Sequence, residues 1–306
     1  MSDAVATQPA HWRVAIVAEQ RHLENRSLRE ARAALRGAGC EVTLVVPGAD
    51  RLFEIPRERP DWDLMLSRGR DLGGLGLLAA AAALGVPTIN TPQSIELVRN
   101  KIAMQAVLHE HRLPLPRTWF AADLTVFKGV PRDRFPLVVK PYDGDGSQGL
   151  ALLSSPDDIT LLPEVSGKRV LYLAQEFLET DGTDLKLYGI GTDVWAVRKP
   201  SPVSFPHPGP ALFTAVEGAD QVPLTPEFRD IALTCGRACG LELWGVDVAV
   251  TPTGPMVIEV NDFPTYSAVP EAGSAIATHV LRRIEMEALA RKTGRERTLS
   301  IIRGGV

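Results

Sequence analysis

Cysteine is scarce in this chain: only Cys40, Cys235 and Cys239 occur. Three cysteines cannot all pair, and none stands in a C-x-x-C, so a disulfide scaffold is excluded. Cys235 and Cys239 lie at i, i+4 spacing on an expected helix, which suits buried thiols in a reducing compartment. Long apolar runs are also missing. The longest, Leu72 to Val86, has 15 residues and is broken by glycine; it is too short to span a bilayer and reads as a packed helix. Met1 to Trp12 lack the charged-then-apolar plan of a signal peptide. Charge of one sign is not in excess either. Lys and Arg number 33 against 37 Asp and Glu, a net charge of −4. That balance gives no electrostatic footprint for wrapping nucleic acid or coating an anionic membrane. The expectation is a soluble, cytoplasmic protein with neither kind of partner.

The chain has 306 residues, 45% of them hydrophobic and 23% charged. At about 150 residues per domain, this is enough for two domains with a sizeable core. Trp12 to Ala18, Glu41 to Val46, Asp63 to Ser67 and Val86 to Asn90 read as strands alternating with helices, the pattern of a parallel α/β layer. This first domain is expected over residues 1–92 and a second over 93–306. Ser94 to Glu110 reads as one helix with Ser94 as cap. From Phe135 onward the pattern changes to strands and glycine loops. Lys186–Ile190 and Val194–Lys199 are expected to form a hairpin around Gly191–Asp193. Residues 200–210 hold five prolines and read as a loop. Val246–Val250 and Met256–Asn261 read as an antiparallel pair, and Ala272–Arg291 as a closing helix.

Chemistry concentrates in three segments. Glu259 and Asn261 are i and i+2, hence on one face of a strand. With Asp247 on the paired strand, two carboxylates and an amide converge in an apolar frame. This set suits Mg²⁺, which takes few protein oxygens and keeps positions for phosphate; solvent-exposed acids on a hairpin are the alternative. Lys140 ends an apolar strand and precedes a loop bearing Gly144, Gly146, Ser147 and Gly149. Glycines let backbone N–H groups wrap phosphate oxygens, and lysine adds a point charge, although a plain turn has the same composition. Gln175, Glu176, Phe177 and Leu178 close another apolar strand, with Asp184 following. Such a strand end can offer backbone groups to a purine edge and a carboxylate to a ribose, or simply end.

Lys186, Arg198 and Lys199 share the hairpin. Lys186 and Arg198 are expected to pair across it, with Lys199 facing elsewhere. They read as anion capture near a transferring phosphate, or as a solvated face. In the first domain, Arg21, His22, Arg26, Arg68 and Arg70 follow strand ends, where α/β sheets bind ligands.

Taken together, Asn100-Lys101, Val138-Val139-Lys140-Pro141, Gln175-Glu176-Phe177-Leu178, Asp184-x-Lys186, Gly245-Val246-Asp247 and Glu259-Val260-Asn261-Asp262-Phe263-Pro264 resemble the ATP-grasp superfamily over roughly residues 85 to 285. The resemblance is to the RimK-type branch (glutamate ligases and glutathione synthase-like enzymes). Lys186, Lys199-Pro200-Ser201 and Asn261-x-Phe-Pro-x-Tyr266 add features of inositol-trisphosphate kinases. It implies α/β plus α+β architecture: an N-terminal parallel subdomain, then a central lobe near 115–178 and a C-terminal lobe near 179–290 that clamp ATP. It further implies that Lys101 and Lys140 hold ATP phosphates and that Gly146 and Ser147 belong to a loop closing over them. Gln175 to Leu178 would then be the adenine hinge and Asp184 the ribose contact. Asp247, Glu259 and Asn261 would bind Mg²⁺ (two ions, or Mn²⁺ in their place), with Lys186, Arg198 and Lys199 catalytic. The implied activity is an ADP-forming carboxylate–amine ligase working through an acyl phosphate on an anionic amino acid, peptide or small acid. The alternative is an inositol-polyphosphate-type kinase, for which Asp262 is the nearest proton acceptor. A homo-oligomer fits either reading.

Overall fold

The computed structural model describes residues 11–48, 50–142, 150–161, 171–201, 203, 211–213 and 218–303. The glycine loop with Gly144, Gly146, Ser147 and Gly149, and most of the proline-rich segment, lie outside the described residues. The chain forms two compact units, residues 1–93 with 269–306, and residues 94–268.

The first unit holds β1 (Arg13–Ala18), α1 (Arg26–Gly37), β2 (Glu41–Val45), β3 (Leu64–Arg68), α2 (Leu72–Ala83) and β4 (Thr88–Ile89). The strands form a parallel sheet in the order β2-β1-β3-β4, as the alternating pattern predicts. Val14 to Ala18 and Leu64 to Leu66 are buried, so their continuous apolar runs reflect a sheet covered on both faces. Asn25 caps α1 by accepting from Leu28 N (3.2 Å), and Asp71 caps α2 by accepting from Gly74 N (2.8 Å).

The second unit contains α3 (Pro92–Arg99), which begins at the boundary, and α4 (Lys101–Glu110), β5 (Thr118–Ala121), β6 (Leu137–Pro141), β7 (Leu150–Leu153), β8 (Tyr172–Glu176), β9 (Thr183–Ile190), β10 (Asp193–Pro200), β11 (Ala211–Phe213), β12 (Asp220–Val222), α5 (Pro226–Cys239), β13 (Leu243–Thr251) and β14 (Gly254–Asp262). Two sheets result, in the orders β11-β7-β6-β8-β5 and β12-β10-β9-β13-β14. The one helix expected over 94–110 is two. The Asn100 side chain accepts from Ala103 N at 3.0 Å and starts a new helix there, which places Lys101 in a first helical turn. Ser94 is no cap: its hydroxyl donates to Gly240 O at 2.6 Å.

The closing helix α6 (Ala272–Arg303) belongs to the first unit and not to the domain expected over residues 93–306. Arg26 donates to Val269 O at 2.7 Å just before the helix, and Gly273 lies against Glu30 of α1, where a Cβ would collide. A helix apolar along one stripe buries it wherever a partner face exists, and chain order does not say where. Among the described residues no helix is long and apolar enough to cross a membrane.

In the second sheet, Trp244 is buried between β9 and α5, and its Nε1 donates to Ala232 O at 3.0 Å. Its ring occupies the space a Cβ would need at Gly189 and at Gly236. Gly189→Ala is expected to destabilise the chain by about 1–3 kcal/mol through overpacking. Urea denaturation should show a lower midpoint with an unchanged slope, and an unchanged midpoint would contradict this packing.

Candidate nucleotide and metal site

The two sheets of the second unit enclose a cavity of ≈ 250 Å³ lined by residues of both. Its charged floor is set by strand register. Lys186 of β9 stands opposite Asp247 of β13, which stands opposite Glu259 of β14, so three charged side chains form one cross-strand row. The next row sets Lys199 of β10 opposite Asp184. A bulge between Asp247 and Val248 lets Glu259 and Asn261 keep the cavity face while Val257 and Val260 enter the core.

Every lysine on this floor is paired. Lys186 Nζ lies 3.1 Å and Lys199 Nζ 3.6 Å from Asp247 Oδ1. Lys101 Nζ lies 3.2 Å from Glu259 Oε1, and Lys140 Nζ 3.5 Å from Glu259 Oε2. Burial works against the charge on Asp247, yet the Lys186 and Lys199 ammoniums outweigh it and hold the carboxyl below its ordinary range. Burial likewise opposes the charge on Lys186, and Asp247 more than restores it. Asn261 Nδ2 donates to Asp247 Oδ2 at 3.0 Å.

These contacts bear on a cation. Asp247 Oδ1 is buried and, despite the two ammoniums, makes no hydrogen bond of good geometry. It is an oxygen acceptor with capacity to spare, beside a second carboxylate and an amide, and that donor set fits a hard divalent ion. Among the described residues there is no cluster of three or more His, Cys, Asp or Glu side chains arranged for a metal. Asp247, Glu259 and Asn261 are therefore the candidate set, two acids and one amide.

The segment expected as a hinge stands at the cavity wall, where Gln175, Glu176, Phe177 and Leu178 all line it. Gln175 is buried and donates to Thr118 Oγ1 at 3.2 Å. The Glu176 and Phe177 N–H groups are spent on Arg117 O and Pro136 O. Leu178 N–H has no backbone partner among the described residues, so it is the donor this edge can offer to a planar ring. Asp184 lies within β9 and is buried. Burial pushes its carboxyl up to about 6, against the opposing pull of its Ser201 hydrogen bond and Lys199. Ser201, which the sequence offers only as part of the Lys199-Pro200-Ser201 turn, also lines the cavity, as does Val203, which carries no signal among the prolines.

Arg198 is a correction. The hairpin turns on Gly191 and Thr192 alone, with Asp193 opposite Ile190, so Lys186 faces Val197 while Arg198 faces Leu185. Leu185 belongs to the core face. Arg198 is thus exposed on the far side of the sheet, and Lys199 takes the place expected for it. Asp262 is a second correction: it does not line the cavity, and Arg99 holds both its oxygens (Nε to Oδ1 3.3 Å, Nη2 to Oδ2 3.0 Å).

In the first unit the basic cluster surrounds an acid. Arg21 Nε donates to Glu19 at 2.7 Å, and the backbone N–H groups of Arg70 and Asp71 donate to the same carboxylate. Burial disfavours the Glu19 charge, but these donors outweigh it and hold the carboxyl below its ordinary range. Arg26 is spent on Val269 and Glu30.

Asp184 sets a stability dependence on pH. Its folded pKa, about 6, lies above the ordinary 3.8, so the folded state binds the proton more readily. The resulting stabilisation is complete below about pH 4 and lost as pH rises through 6. Asp184→Asn should therefore raise the melting temperature relative to the parent more at pH 8 than at pH 4. A difference that does not change with pH would contradict the burial of this carboxyl.

A family model for the RimK-like ATP-grasp domain matches residues 98–284. A probable alpha-L-glutamate ligase of Legionella pneumophila (strain Corby) is 26% identical over 300 residues, 90% of this chain and 96% of that protein. One from Parasynechococcus marenigrum (strain WH8102) is 28% identical over 254 residues, 80% of this chain. The aligned region spans 50% of that longer relative. Among solved structures, D-cycloserine synthetase DcsG superposes with a TM-score of 0.69 at 16% identity, covering 89% of this chain and 99% of that one. The ATP-grasp ligase PsnB, complexed with minimal precursor, Mg and ADP, gives 0.63 at 15%, covering 88% and 96%. At such identities these likenesses are of fold. The family match takes in more than half of the chain and all the cavity-lining residues described above, and the chain belongs to the RimK-like ATP-grasp domain family.

Proposed function

We propose that this chain is an ATP- and Mg²⁺-dependent, ADP-forming carboxylate–amine ligase acting on an anionic amino acid, peptide or small acid. The observation that carries the reading is the convergence of Lys101, Lys140, Lys186 and Lys199 on Asp247 and Glu259 at the floor of the cavity. Four ammoniums on two carboxylates leave positive charge in excess, which a triphosphate would neutralise. The hinge at Glu176 to Leu178 would take the adenine edge, and Asp184 the ribose. Asp247, Glu259 and Asn261 would hold Mg²⁺, which when bound neutralises phosphate charge and orients the γ-phosphate. Because the carboxylates are capped by lysines, the polyanion must draw the ammoniums away before they can hold a cation.

In this scheme the substrate carboxylate, already ionised near neutral pH, attacks the γ-phosphorus and ADP leaves. Lys140, Lys186 and Lys199 stabilise the charge on the transferring group. The amine then attacks the acyl carbon, inorganic phosphate departs, and the amine proton passes to solvent. No general base is needed for the first step. A kinase acting on an alcohol would need one, and Asp262, the residue nearest that role in the sequence, is turned from the cavity and clamped by Arg99. The probable alpha-L-glutamate ligases among the relatives make L-glutamate the first substrate to try.

Phosphorus NMR of the protein with ATP, Mg²⁺, L-glutamate and a pool of amines and peptides should show ADP and free phosphate, dependent on both acid and amine. A phosphoester signal without free phosphate would contradict a ligase. Lys140→Ala should weaken nucleotide binding by about 1.5–3 kcal/mol, the loss of a charge-assisted contact, as read by calorimetry. Asp247→Ala should abolish turnover and lower the melting temperature, because it strands Lys186 and Lys199, while circular dichroism still shows the folded secondary structure. Full activity in that variant would remove Asp247 from the site.

A further inference from the structure

Asp262 follows Asn261 directly and ends β14, so its side chain leaves the strand on the face opposite the cavity. There it meets Arg99, the last residue of α3. Both guanidinium contacts are made, at 3.3 and 3.0 Å, and the two side chains keep only 18% and 10% of their exposure. Two residues further along the chain from Arg99, Lys101 opens α4 and reaches Glu259 at 3.2 Å. Between them Asn100 caps the new helix. A third link runs from Val260 N–H to Met104 Sδ at 3.4 Å. The break between α3 and α4 is thus fastened to the end of β14 at points either side of Asn261.

We propose that the Arg99–Asp262 pair positions Lys101 and Asn261 for a nucleotide–metal complex, making both members positioning residues of the site. The inference rests on the nucleotide-site reading above. Lys101 has a flexible four-carbon stem, and its ammonium is placed only as well as its Cα is placed. The Cα sits next to a helix break, where backbone torsions are otherwise least constrained. A bidentate guanidinium–carboxylate pair fixes distance and orientation together, and in a partly buried setting it is held more firmly than an exposed pair. Asn261 is the residue adjoining the clamped end of the strand, so the same pair holds its amide on the cavity side.

The test uses the full-length chain with ADP and Mn²⁺ as probes. Binding of Mn²⁺ is followed by electron paramagnetic resonance with ADP present, ADP affinity is measured without metal, and the melting temperature is recorded. Arg99→Gln and Asp262→Asn are each expected to weaken Mn²⁺ binding in the presence of ADP by roughly 10–100-fold, as is usual for groups that orient metal ligands. Metal-free ADP affinity should change less. The double variant should be no worse than either single one, because one interaction is lost in all three. Arg99→Lys, which keeps the charge and loses the fork, should fall between and serves if the neutral variants do not fold. Parent-like Mn²⁺ affinity in the variants, or additive losses in the double variant, would overturn the proposal. If the parent chain itself fails to bind ADP with Mn²⁺, the nucleotide-site reading falls first.

Discussion

A carboxylate inside an apolar frame is costly unless it is paired, and this constraint organises the second unit. Asp247 and Glu259 stand on strands whose neighbouring residues Val246, Val248, Val257 and Val260 lie in the core. Each is met by two lysines drawn from different elements: Lys186 and Lys199 from adjacent strands, Lys101 from a helix start, and Lys140 from the other sheet. The six side chains carry two positive charges in excess. Such a cluster is charge-paired as it stands, with acceptor capacity left over at Asp247 Oδ1, and is still matched to a polyanion. Removal of a single carboxylate would strand two ammoniums, so Asp247 and Glu259 serve the fold and the site at once.

How much of this could be read in the sequence follows from where each signal lies. Glu259-Val-Asn261 was legible because a two-residue period places both side chains on one face whatever the rest of the strand does. The parallel sheet of the first unit was legible from its continuous apolar runs. The hairpin shows the opposite case. A turn read as Gly191–Asp193 pairs Lys186 with Arg198; the turn of Gly191 and Thr192 pairs Lys186 with Val197 and Arg198 with Leu185. One residue of register turns every side chain of the strand over, and it exchanged Arg198 for Lys199. Composition does not contain that information; turn geometry does.

Other features depend on partners distant in sequence. The attachment of α6 to the first unit depends on Arg26 and Glu30, some 240 residues away from Val269 and Gly273. The break at Asn100 had a local signal, an Asn followed by a helical run, but it competed with an apolar periodicity that runs through it. The Arg99–Asp262 pair, 163 residues apart in sequence, had no local signal at all, and Asp262 read alone was an acid beside a metal strand. Its partner changes its chemistry from proton acceptor to anchor.

We propose that the lysine-capped carboxylates become a metal site only when a nucleotide is present. Electron paramagnetic resonance of Mn²⁺ titrated into the parent chain, with and without ADP, tests it directly. Weak binding alone and tight binding with ADP are expected, the free Mn²⁺ signal collapsing only in the second titration. Equal Mn²⁺ affinity in both would mean that the lysines do not guard Asp247 and Glu259.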